Sequence, residues 1–233
     1  MDSVSSDSSQ ATTNPAFTPL SALAARVLGC LVEKEFATPD IYPLSLNALT
    51  NACNQRSNRD PIISADAGEV EVALEELRKQ GLATAFTGAD SRVQKFKHKL
   101  PIVFALTPVE QSVLCELLVR GPQTTAGVRS NAERLYGMPA PAEVEALLVK
   151  LSERAGGPLV CKLARQVGQK EARWAHLLSG EPASGDGEAE AEVIKVTMAI
   201  PPEVEQRLNA LEAEVSELKA ALADLRRELG IAS

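Results

Sequence analysis

One short motif occurs twice in this chain: Glu69, Val70, Glu71, Leu74 and Leu77 match Glu143, Val144, Glu145, Leu148 and Leu151 at identical spacing. A repeat of this kind points to a duplicated unit, in which each copy is one supersecondary block. The surroundings of the two copies agree. In the first half, Leu20 to Phe36 reads as a helix with Leu23, Val27 and Cys30 or Leu31 inward. A second helix starts after the N-cap Ser45 and places Leu46, Leu49, Ala52 and Cys53 on one face. The third begins at the N-cap Asp66 with Glu69 completing a capping box, buries Val70, Ala73, Leu74 and Leu77, and stops at Gly81. Leu82 to Thr87 and Arg92 to His98 then flank a four-residue turn, as in a β-hairpin.

The second half runs in the same order. Val113, Leu114, Leu117 and Leu118 mark a helix, Thr124 to Tyr136 a second and Pro141 to Arg154 a third; Leu159 to Arg165 and Glu171 to Leu178 form the hairpin strands. The closing strands also correspond, with Lys95, Phe96 and His98 against Arg173, Trp174 and His176. The fold class expected is mainly α with small β-hairpins (α+β): two tandem winged helix-turn-helix domains, residues 18–100 and 101–180, plus a C-terminal coiled-coil helix. An aromatic content of only 3% leaves Leu, Val and Ala to build the cores, which suits small helical domains.

The segments LAARVLGCLVEKEFATPDIYPLSLNALTNACNQRSNRDP, GPQTTAGVRSNAERLYG and LARQVGQKEARWAHLLSG resemble those of the YceH-like bacterial proteins, an uncharacterised family. The resemblance covers residues 18–180 and implies a tandem winged-helix fold; it brings no activity, substrate or catalytic residue.

Charge is distributed unevenly. Residues 1–17 carry −2, 18–100 carry 0, 101–180 carry +2 and 181–233 carry −7. The Ser- and Thr-rich residues 1–17 lack the basic and apolar regions of a secretory signal and read as a disordered lead, and residues 181–200 as an acidic flexible linker. From 201 to 230 a heptad pattern follows, with Val204, Leu208, Leu211, Val215, Leu218, Leu222, Leu225 and Leu229 as the dimerisation residues. In a parallel pair Arg207 faces Glu212 and Glu214 faces Lys219, which favours a homodimer; the alternative is a helix that packs back on its own domains.

Chemistry is sparse. The chain has no phosphate-binding Gly loop, nucleophile elbow or His-Glu-x-x-His pattern, so no catalytic residue, metal or cofactor is expected, and no enzyme. His98 and His176 read as strand residues with their polar tips in solvent. The spacing of Cys30, Cys53, Cys115 and Cys161 contains no Cys-x-x-Cys pair, which reads as core thiols in a reducing, cytoplasmic setting rather than zinc or redox sites. No apolar run is long enough for a membrane span.

The remaining feature is the polar run after Cys53. Asn54, Gln55, Arg56, Ser57, Asn58 and Arg59 form either a contact surface or a loop that satisfies itself. Under a DNA reading, Arg56, Arg59, Arg92, Lys95 and Lys97 hold phosphates while Asn54, Gln55 and Asn58 reach base edges, and replacing both Arg56 and Arg59 leaves the fold intact. The acidic starts of the third helices favour the alternative, a scaffold that binds protein partners. If the heptads pair two chains, cutting after Gly180 converts a dimer into a monomer by light scattering; a truncated chain that stays dimeric moves the interface elsewhere.

Overall fold

Two helices, apolar on nearly every side, organise the fold. In α1 (Ala22–Ala37) every residue from Ala24 to Glu33 is buried, and in α5 (Pro108–Arg120) every residue from Glu110 to Val119. A helix without an exposed face belongs in the middle of a core. The single inward stripe expected for the first helix is therefore too narrow: α1 packs against its own half on one side and against α5 on the other, and Leu23 is only partly buried. Gly29 makes the crossing close. A Cβ at Gly29 would sit 2.7 Å from Val119 Cγ1 and 2.9 Å from Leu118 Cβ, and the Cys115 thiol donates to the Gly29 carbonyl at 3.3 Å.

A computed structural model of the chain describes residues 18–86, 93–165 and 168–182. Around α1 lie β1 (Leu44–Ser45), α2 (Leu46–Cys53), α3 (Ala67–Lys79), β2 (Ala83–Phe86) and β3 (Lys95–His98). Ser45 caps α2 through Ala48 N–H, and Asp66 with Glu69 forms the expected capping box of α3. Buried Val70, Ala73, Leu74 and Leu77 face the core from α3. Strand β3 lies between β1 and β2, antiparallel to both, with Leu44 opposite Phe96 and Ala83 opposite His98.

A five-residue helix α4 (Leu100–Phe104), unexpected from the sequence, leads to α5. Then come α6 (Thr125–Ala132), α7 (Pro141–Ser152), β4 (Val160–Lys162) and β5 (Trp174–His176), the last two antiparallel. The halves correspond in detail. Leu44, just before the N-cap of α2, pairs with Phe96; Gln123, just before the N-cap of α6, makes a bridge to Trp174. One apolar core runs through both halves, and the described residues fall in one compact unit. Among the described residues no helix is long and apolar enough to cross a membrane.

The Gly29 crossing gives a stability prediction. Gly29→Ala gains about 1 kcal/mol of helix propensity, but Leu118 Cβ is anchored to its backbone and cannot swing aside. Overpacking a close contact costs about 1–3 kcal/mol, so the expected result is a net loss seen as a lower urea midpoint. An unchanged midpoint would mean that the helices separate freely at this point.

Candidate functional site

The polar run singled out in the sequence lies between α2 and α3, where the two halves meet. Asn54 is the C-cap of α2, and its side chain folds over the following segment: Nδ2 donates to Ala65 O at 2.7 Å while Oδ1 accepts from Ala65 N–H at 2.8 Å. Asn58 takes a left-handed conformation, φ 59°, which Asn tolerates better than most residues. Its carbonyl accepts from Arg59 at 2.9 Å and its Oδ1 accepts from Arg120 of α5. The backbone is tied across as well, with Asp60 N–H donating to Val119 O at 3.1 Å. The Tyr42–Pro43 and Asp60–Pro61 peptide bonds are cis.

Arg59 is the correction with the largest consequence. Its side chain is fully buried and its guanidinium grips Glu33 of α1 with two bonds, Nη1 to Oε1 at 3.2 Å and Nη2 to Oε2. It also donates from Nε to Ala52 O at 3.1 Å and from Nη2 to Gln55 Oε1 at 3.0 Å. Such a guanidinium is unavailable to a phosphate. Burial by itself would raise the Glu33 carboxyl, but the Arg59 guanidinium outweighs it and holds Glu33 below the usual carboxylate range. Burial would lower Arg59, and the same pair holds it above its ordinary value.

The pair extends into a network. Arg134, which follows α6, donates to Glu33 Oε1 at 3.0 Å and to Glu116 Oε1 of α5 at 2.9 Å, and Arg120 Nε lies 2.9 Å from Glu116 Oε2. Glu116 is fully buried. Arg26 of α1 reaches the same region, donating to Cys53 O at 3.5 Å, Asp60 O at 3.0 Å and Pro61 O at 2.9 Å. Arg134 and four further members of this network, Arg26, Glu33, Glu116 and Arg120, lay outside the sequence-based site, the last four on α1 and α5. The available signal was a charged residue inside an otherwise apolar run, in ALAARVLGCLVEKEF and VLCELLVR.

Of the other expected contact residues, Arg56 is exposed, Lys97 is exposed with its ammonium 5.9 Å from the Phe86 ring centre, and Lys95 is half-buried on β3. Gln55 Oε1 accepts from Arg59 and, at 3.5 Å, from Lys34. Arg92 and the heptad positions Val204, Leu208, Leu211, Val215, Leu218, Leu222, Leu225 and Leu229 lie outside the described residues. Both histidines depart from their expected solvent-tipped placement. His98 is buried, with Nε2 2.7 Å from Glu35 Oε2 and Nδ1 accepting from Leu100 N–H at 3.3 Å, an arrangement that puts the proton on Nε2. Its hydrogen bond holds the Glu35 carboxyl low. Burial pushes His176 down to about 4.

The face of α3 turned to solvent is acidic along its first turns and ends in exposed Arg78, which pairs with Glu75, and exposed Lys79. Asp66, Glu69, Glu71 and Glu75 are exposed, and among them Val72 is 72% exposed. A shallow groove of about 650 Å³ runs beside it, lined by Thr18, Glu71, Val72, Glu75, Glu76, Lys79 and Gln80. Glu76 is not simply solvated: it accepts from Ser21 N–H at 2.8 Å and from the Ser21 hydroxyl at 2.7 Å, anchoring the start of α1 to α3. On α7, Glu143 is exposed, while Glu145 accepts from Lys162 at 2.6 Å and from the Thr125 hydroxyl.

Comparison with known proteins adds the relatives. Residues 20–169 match the model of a family described as a protein of unknown function, DUF480. The chain is 48% identical over 208 residues to a UPF0502 protein of Pelobacter propionicus, spanning 87% of this chain and 91% of that one. It is 43% identical over 214 residues to a UPF0502 protein of Aeromonas hydrophila, with 90% and 96% covered. A UPF0502 protein of Geobacter sulfurreducens is 46% identical over 200 residues, with 85% and 90% covered.

The network predicts a sharp response to losing one partner. Arg59→Met leaves Glu33 buried with Arg134 as its remaining close guanidinium, and breaking a buried pair costs about 3–5 kcal/mol. The expected result is a large fall in the urea midpoint. A loss below about 1 kcal/mol, the value of an exposed pair, would show that the network is solvated rather than structural.

Proposed function

The chain belongs to the DUF480 family, and for this member we propose a non-enzymatic protein-interaction role, with two tandem winged-helix units as a platform. The YceH-like resemblance read from the sequence is consistent with that family. The observation that carries this reading is the exposed face of α3, where Glu69, Glu71 and Glu75 lie within a turn of exposed Val72, Glu75 also pairing with Arg78. In a helix-turn-helix protein the helix in this position meets the major groove. A duplex places a negative charge about every 1.7 Å of its axis, so an acidic face there is repelled. A protein segment with basic groups about an apolar side chain is complementary instead. The bonds that occupy Asn54, Asn58 and Arg59 support the same direction, since they leave fewer groups for phosphates and bases.

DNA association is the second reading, and the exposed Arg56 and Lys97, with Lys95 on the same strand, favour it. The heptad segment would bring two copies together in either case, in a cytoplasmic protein. A photo-reactive residue at position 72 of the full-length chain is expected to give a discrete protein adduct in bacterial cells, lost when Glu71 and Glu75 are changed to Lys. Fluorescence anisotropy with mixed duplexes is expected to show no binding at low salt. Duplex binding that weakens steeply with salt and is lost with Arg56→Ala and Lys97→Ala would overturn the platform reading in favour of DNA.

A further inference from the structure

The chain enters α1 alongside α3 and is tied down there. Leu20 N–H donates to Leu178 O at 2.7 Å, and Ser21, the N-cap of α1, donates from its backbone and its hydroxyl to Glu76 of α3. Thr18, three residues before Ser21, is thereby held against α3 and lines the same groove as Val72 and Gln80. Consecutive Cα atoms lie about 3.8 Å apart, so Phe17 is delivered to the groove itself.

Two features of the groove call for a cover. Val72 is exposed with its apolar side chain unburied, and the side-chain carbonyl oxygen of Gln80 is buried with no hydrogen-bond donor among the described residues. An unpaired buried acceptor marks a missing donor and carries a free-energy cost.

We propose that residues 11–17, ATTNPAF, lie along this groove with Phe17 against Val72, as a built-in cover that an incoming partner segment displaces; the displacement, though not the contact, rests on the platform reading of α3. Charge permits it. Residues 8–17 carry no charged side chain, so Glu71 and Glu75 do not repel them. Chemistry favours it as well: Phe17 is the only aromatic residue in 1–17 and supplies apolar area for Val72, while the backbone N–H groups of the segment are donors of the kind Gln80 lacks. The reach is sufficient. The 13 residues of α3 span about 20 Å, and seven extended residues cover about 23 Å.

The test uses the full-length protein with the photo-reactive residue benzoylphenylalanine in place of Phe17, which keeps an aromatic ring there. After irradiation of the purified chain and digestion with trypsin, the expected product joins the peptide 1–26 to the peptide 60–78, with the new bond at or beside Val72. Before digestion the adduct is expected to keep the monomer mass under denaturing conditions. Val72→Lys, at a position outside the core, is expected to remove it. An adduct elsewhere, none at all, or one of twice the monomer mass would overturn the contact. In cells, Phe17→Ser is expected to raise severalfold the protein adduct formed from a photo-reactive residue at position 72; an unchanged yield would overturn the displacement. A missing intramolecular adduct beside a persistent cellular one would sink the cover and leave the platform reading standing. The reverse pair of results would sink the platform and leave the contact.

Discussion

The contact between Glu33 and Arg59 ties α1 to the α2–α3 segment and, through Arg134, to the second half of the chain. Each charge taken from water carries a desolvation penalty of several kcal/mol, repaid only where geometry is good and remaining donors and acceptors find partners. Here the guanidinium meets the carboxylate with two bonds and uses other N–H groups on Ala52 O, Asn58 O and Gln55 Oε1. Arg134 then carries the charge pattern from Glu33 to Glu116, from the first half to the second. An α1 without these partners would be left with Glu33 buried and unpaired. The helix can be apolar on nearly every side because its charged residues are met by groups brought in from the α2–α3 segment and from beyond α6.

This dependence explains what the sequence made legible. Local chemistry was readable: Ser45 and Asp66 cap helices as their positions suggest, the apolar spacing of Val70, Ala73, Leu74 and Leu77 gives the buried stripe of α3, and β2 and β3 pair within the two strand segments, the expected turn between them lying outside the described residues. The repeat was readable because corresponding positions face corresponding surroundings, down to Phe96 and Trp174. The candidate site was legible only as a place. Asn54, Asn58 and Arg59 are polar letters whose partners, Ala65 O, Arg120 and Glu33, are supplied by tertiary structure, and no periodicity distinguishes a side chain that bonds inward from one that waits for a ligand. The same holds for His98, whose burial depends on Glu35 and Leu100 closing around it. Strand β1 is two residues long and α4 five, too short for a period to register.

The two halves put like charge on like elements. Both third helices begin with acidic residues, and in α3 these remain exposed, while of the two arginines of the α2–α3 segment Arg59 turns inward and Arg56 outward. Acidic side chains in a first turn suit the helix dipole, so Asp66 and Glu69 have a structural reason to be there. Glu71 and Glu75 lie beyond the first turn, and Val72 between them has a large apolar exposure without a structural partner to account for it. That combination is the basis on which α3 is proposed as a recognition face.

The approach of α1 to α5 at Gly29 has a bearing on how such a chain can change over generations. The space a methyl group would need at position 29 is filled by Val119 Cγ1 and Leu118 Cβ. Contacting positions of this kind do not vary independently, and their combined effect departs from the sum of the separate ones. A larger residue at 29 becomes acceptable only after room has been made on α5, and a smaller one on α5 leaves a void unless position 29 grows. The three positions are thus inherited as a set, and the path from one packing to another passes through a less stable ancestor.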